Sequence, residues 1–136
     1  MITKLSHITL LVRDQDEALA WYIGKLGFEK RVDSEFGPGF RWLTVAPRGQ
    51  GWPQIVLQQP LPALHGEERA QRMMVLIGQG PTWYLETDDC RKDYEELVRK
   101  GVKFMTPPEE MPWGILATFT DLYGNPFNLI EPRAWA

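Results

Sequence analysis

The chain has 136 residues, 43% of them hydrophobic and 24% charged, a length and balance suited to one compact fold with a real core rather than to a disordered or fibrous chain. Fifteen Lys and Arg against 18 Asp and Glu leave a formal charge of -3, which repels polyphosphate and makes nucleic acid an unexpected partner. Cys90 is the single cysteine, so no internal disulfide can form. With no charged leader ahead of an apolar run at the amino terminus, and no apolar stretch near ~18 residues, a cytoplasmic protein without a membrane segment is expected.

In chain order, Leu5 to Val12 alternates apolar and polar residues, with Ile8, Leu10 and Val12 on one side and His7 on the other, the period of a strand. Asp14 or Asp16 can cap the helix that follows. Its apolar stripe is Ala18, Leu19, Tyr22, Ile23 and Leu26, and Gly27 ends it. Three strands are predicted next, Phe28 to Val32, Arg41 to Val45 and Gln54 to Gln58, joined by the turn-forming runs at 36–39 and 47–53. Pro60 to Gly66 has linker composition. Glu67 to Ile77 predicts an extra helix with Arg69 and Arg72 outside and Met73, Leu76 and Ile77 inside.

The pattern then repeats. Thr82 to Thr87 alternates, Asp88 and Asp89 offer a cap, and a helix through Tyr94, Leu97 and Val98 ends at Gly101. Strands are predicted over Val102 to Met105, Ile115 to Thr120 and Phe127 to Ile130, with Pro107 to Gly114 as a connection. His7 and Thr82 stand 75 positions apart, as do Asp14 and Asp89. The chain therefore reads as two tandem βαβββ units of α+β class, a first unit at 1–60, a linker with a helix at 61–80 and a second unit at 81–136, the strands forming a curved mixed sheet around a central cleft. The strand faces away from the helices carry His7, Thr9, Gln54, Gln58, Thr82, Tyr84, Glu86 and Asn128. That many polar groups predicts a wet, ligand-sized cleft.

Ser6-His7-Ile8-Thr9, Ala20-Trp21-Tyr22 and Leu26-Gly27-Phe28 in the first copy, with Asp121-Leu122-Tyr123-Gly124-Asn125-Pro126-Phe127 and the following strand to Glu131 in the second, resemble the vicinal oxygen chelate superfamily. That group contains glyoxalase I, bleomycin-resistance proteins, fosfomycin-resistance enzymes and extradiol dioxygenases. The resemblance implies paired βαβββ units and a homodimer. In metal-using members it also implies a divalent ion held by His or Glu from equivalent strands of the two units. Here those four positions fall on His7, Thr82, Val56 and Asn128, and only His7 is a strong ligand. A bulge in the last strand could turn Glu131 inward, leaving a His7 and Glu131 pair as the alternative metal set.

The expectation is thus a small-molecule-binding protein with a metal-free cleft and no required cofactor, working by ligand sequestration or by acid-base chemistry. His7 is the candidate catalytic residue, and His7, Trp42, Gln58, Thr82, Tyr84, Trp113 and Asn128 are the candidate ligand-binding residues. If enzymatic, the resemblance implies a lyase, isomerase or dioxygenase. Two alternatives stand beside it, a metal-dependent lyase or dioxygenase of glyoxalase type and a non-catalytic module for a protein partner. Loop tryptophans 52 and 113 can close over a cleft. His65 reads as exposed, Glu86 and Asp88 read as structural, and Cys90, beside Asp88 and Asp89, as a poor nucleophile.

Overall fold

The computed structural model describes residues 1–133. The chain divides into two compact units, Met1–Ile77 and a second beginning at Gly78. In the first, β1 (His7–Leu11) and α1 (Gln15–Leu26) are followed by β2 (Glu29–Glu35), β3 (Arg41–Ala46) and β4 (Gln54–Gln58), then by α2 (Pro62–His65) and α3 (Glu67–Leu76). The second contains β5 (Trp83–Glu86), α4 (Cys90–Arg99), β6 (Lys103–Met111), β7 (Gly114–Thr120) and β8 (Pro126–Pro132). Each unit builds its own four-stranded mixed sheet, ordered β1-β4-β3-β2 in one and β5-β8-β7-β6 in the other. The first strand of each pairs in parallel with the last, and the remaining pairs are antiparallel.

The capping signals act as expected. Asp14 accepts from the Glu17 N–H and Asp89 from the Lys92 N–H, satisfying donors that a helix start leaves open. Gly27 takes φ 71° and donates its N–H to the Ile23 carbonyl while the Phe28 N–H reaches the Tyr22 carbonyl, a left-handed stop that glycine adopts without a Cβ clash. The predicted closing turn is also present. The Asp121 carboxylate accepts from the Tyr123 and Asn125 N–H groups, and Asn125 Nδ2 donates to its other oxygen, so both buried polar side chains are satisfied.

The duplication extends to irregularities. A β-bulge falls between Lys30 and Val32, and another between Phe104 and Thr106, 74 positions later. Thr44 is the partner of both Val32 and Val56, and Thr118 is the partner of both Thr106 and Asn128. Alternation then fixes the faces. Leu10, Val12, Leu43, Val45, Ile55 and Leu57 are buried with Ala18 and Tyr22 of α1. Around Phe119 a ring series runs from Tyr94 through Phe104 to Phe127, with centroid spacings of 4.7, 5.3 and 5.4 Å. Burying each such large side chain stabilises the fold by about 1.5–3 kcal/mol.

Several expectations need correction. β6 runs to Met111 rather than ending at Met105, so most of the predicted connection is strand. Pro107 and Pro108 are tolerated because β6 is the outer strand of its sheet and the register shifts there, where a missing N–H breaks no ladder. Ile23, Leu76 and Val98, assigned to apolar stripes, are exposed. The run read as linker, Pro60 to Gly66, holds the short helix α2, whereas the extra helix expected over Glu67 to Ile77 is present as α3 and packs on β1. Among the described residues, no helix is long and apolar enough to cross a membrane.

Candidate functional site

The open face of the first sheet is set by the register His7↔Gln54, Thr9↔Val56 and Leu11↔Gln58 on β1 and β4, continued by Thr44 and Trp42 on β3. His7 opens β1, an edge strand of this sheet. Its Nδ1 is 2.9 Å from the Ser6 hydroxyl, leaving Nε2 as the ring nitrogen without a protein partner among the described residues. Two indoles meet the imidazole edge-on, Trp42 at 5.2 Å and Trp52 at 5.5 Å between centroids. The Lys4 ammonium lies 4.5 Å from the Trp52 ring centroid, a cation–π arrangement. Beneath this cluster the Thr44 hydroxyl donates to Gln54 Oε1 at 2.8 Å and accepts from the Val32 N–H at 3.1 Å. Both side chains are buried, so the strand carrying Trp42 is tied to the strand facing His7.

Beside Trp42 opens a hollow of about 190 Å³ lined by Phe36, Phe40, Arg41, Trp42, Gln58, Leu61 and Leu64. Phe36 and Phe40 flank the β2–β3 hairpin, closed by hydrogen bonds from the Phe36 N–H to the Phe40 carbonyl and from the Phe40 N–H to the Gly37 carbonyl. Leu61 and Leu64 come from the turn into α2, where the Leu61 N–H donates to His65 Nδ1. Arg41 is held by Asp33 through Nε and Nη2 at 2.8 and 2.9 Å, and by Asp16 through Nη1 at 2.7 Å. The Arg41 hydrogen bonds hold the Asp33 carboxyl below the usual carboxylate range.

In the second unit Tyr84 is the register partner of Asn128, and Asn128 Oδ1 accepts from the Thr118 hydroxyl at 2.7 Å. Thr82 lies just ahead of β5, and Trp113 is half exposed at the β6–β7 turn. Of the expected ligand-binding residues, His7 and Trp42 are therefore in contact and Trp42 and Gln58 share a hollow, while Tyr84 and Asn128 form a separate pair. Phe36, Phe40, Leu61 and Leu64 were not foreseen as lining residues. A Phe-Gly-Pro-Gly-Phe hairpin and leucines three apart around Pro62 are the signals that point to them.

The metal alternative can be tested residue by residue. Val56 is buried and carries no donor atom, and the Asn128 oxygen is already an acceptor for Thr118. β7 and β8 pair without a register shift from Gly114↔Pro132 to Thr120↔Pro126, so the bulge that would turn Glu131 to the open face is not present. Glu131 Oε1 instead accepts from the Cys90 N–H at 2.9 Å, capping α4 from the helix-covered side. Among the described residues no three His, Cys, Asp or Glu side chains are grouped to hold an ion. The donor set present does not fit the metal centre of the metal-using relatives. Cys90 is fully buried, and its thiol is pushed up to about 11, first by burial and then by the Glu131 charge.

Residues 4–129 match the family described as the Glyoxalase/Bleomycin resistance protein/Dioxygenase superfamily. The chain is similar to UcmS2, with 39% identity, a TM-score of 0.86 and coverage of 96% of this chain and 99% of that one. It is also similar to TnmS3, an antibiotic binding protein from Streptomyces sp. CB03234, with 29% identity, a TM-score of 0.75 and coverage of 97% and 98%. A protein of Shewanella frigidimarina is 33% identical, over 96% of this chain and 95% of its own length.

Proposed function

For a chain that belongs to the glyoxalase, bleomycin-resistance and dioxygenase superfamily, we propose that it binds an aromatic small molecule on the open face of its first unit, without a resident metal ion. The observation that carries this reading is the pair of indoles on His7 beside the Trp42 hollow. Aromatic side chains supply large contact area at small entropic cost, and three of them line the hollow. Its volume of about 190 Å³ is below the ~300–1,000 Å³ of a site enclosing a whole drug-sized ligand. It therefore seats one ring system, and the remainder of the ligand lies over Trp42, His7 and Trp52. The similarity to TnmS3, an antibiotic binding protein, supports an antibiotic-type ligand.

The chemistry of the site favours sequestration. His7 Nε2 can exchange a proton with a bound ligand, but no second acid or base among the described residues hydrogen-bonds it. Metal-dependent catalysis would need carboxylate or imidazole partners that the ligand positions lack. The test is a panel of aromatic antibiotics followed by tryptophan quenching and by the rise in melting temperature, with and without a chelator. Binding that raises the melting temperature, ignores the chelator and returns the ligand chemically unchanged is expected. Chelator-sensitive binding or turnover would favour the metal-dependent reading, and a panel in which no compound raises the melting temperature would overturn ligand binding altogether.

A further inference from the structure

We propose that the Trp42 hollow selects an uncharged aromatic ring bearing a hydrogen-bond donor and rejects carboxylates, although an arginine lines it. This rests on the small-molecule reading of the same face and adds the ligand's chemical class. An exposed arginine in an aromatic pocket would ordinarily mark an anion site, because its planar fork matches a carboxylate. Here that fork is taken. Nε and Nη2 grip both oxygens of Asp33, and Nη1 holds Asp16, while the Lys30 ammonium 3.8 Å from Asp33 balances the second carboxylate, so the guanidinium is already engaged on three sides. Arg41 retains N–H groups for a neutral acceptor, but an incoming anion finds no free fork and no uncompensated positive charge to offset its desolvation.

The other polar wall is Gln58. Its Nε2 donates to the Gln59 carbonyl at 2.8 Å, which fixes the amide's orientation, since only the nitrogen end can face a carbonyl. Oε1 is thus the acceptor that remains, with no donor reaching it among the described residues. A ligand hydroxyl or N–H supplies what this oxygen lacks. The surrounding walls are Phe36, Phe40, Trp42 and Leu61, which favour a flat apolar ring.

Three probes of one size separate these contributions: naphthol, methoxynaphthalene and naphthoate, titrated at neutral pH by calorimetry and saturation-transfer NMR. Naphthol is expected to bind at least about tenfold tighter than naphthoate and a few-fold tighter than methoxynaphthalene, the worth of one hydrogen bond. Gln58→Leu should bring the naphthol and methoxynaphthalene affinities together. Asp33→Asn should raise naphthoate affinity several-fold by leaving positive charge there uncompensated. Naphthoate binding as well as naphthol, or variants that leave these ratios unchanged, would overturn the selectivity while leaving aromatic binding intact. Failure of all three probes to bind would overturn both readings.

Discussion

Thr44 and Thr118 occupy the same place in the two copies, and their replacement by valine should have unequal costs. Thr44 is fully buried, and its hydroxyl serves two partners, donating to the buried Gln54 Oε1 and accepting from the Val32 N–H at the bulge. Thr44→Val keeps the branched shape but removes both bonds and leaves two polar groups with no water to replace the hydroxyl. A buried group left unsatisfied costs about 1–3 kcal/mol, so the pair predicts a loss of about 2–6 kcal/mol. Thr118 is half-buried and donates to Asn128 Oδ1, with its own backbone N–H bonded to Thr106 Oγ1. Water can reach Asn128 after Thr118→Val, so only the net worth of a hydrogen bond is lost, about 0.5–1.5 kcal/mol. Urea unfolding followed by circular dichroism, with unchanged slope, gives both values. Equal losses, or a Thr44→Val loss under about 1 kcal/mol, would refute the assignment of the buried bridge as the element that braces the site.

Three further outcomes follow from other contacts. His7→Ala should fold as the wild type yet weaken ring binding about three- to tenfold, the worth of an edge-on aromatic pair; calorimetry with naphthol reads this, and unchanged affinity removes His7 from the site. Because the buried Cys90 thiol is held at about 11 against an ordinary 9.0, the unfolded chain releases this proton first. Stability from it is complete below pH 9 and is lost as pH rises toward 11, and Cys90→Ala should flatten that part of the pH–stability curve. Asp89→Ala removes the acceptor for the Lys92 N–H and should cost about 1 kcal/mol in the same urea assay, less if Glu131 at the Cys90 N–H carries the helix start by itself.

The fold was legible because its signals are local. Alternation in His7–Leu11, the Asp14 and Asp89 caps, the Gly27 stop and the Asp121 turn each act within a few residues, and their repetition at a shift of about 75 fixed the architecture. The site was legible only in part. His7 and Trp42 share a face by alternation, which period alone reveals. The hollow joins Phe36 and Phe40 on one hairpin with Leu61 and Leu64 from a turn twenty residues on, and nothing local links those segments. The end of β6 was missed for a different reason. Pro107 and Pro108 read as breakers, and only the sheet order shows that their strand has no outer neighbour to lose a bond to.

Register turns the duplication into an argument about specialisation. Equal positions in the two sheets pair His7 with Thr82, Trp42 with Leu116, Gln54 with Pro126 and Gln58 with Ile130. The backbone is the same, bulge included, so geometry alone cannot decide which copy receives a ligand ring. Side-chain chemistry does. At these positions the first copy carries an imidazole, an indole and two amides, one of them, Gln54, buried against Thr44, and the second replaces them with a hydroxyl, two aliphatic side chains and a proline. If that difference is what confers binding, Trp42→Leu, which installs the second copy's residue, should remove most of the first copy's affinity for naphthol while leaving the melting temperature within a few degrees. A Trp42→Leu protein that binds naphthol at wild-type strength would show that the ring is held by something other than this face.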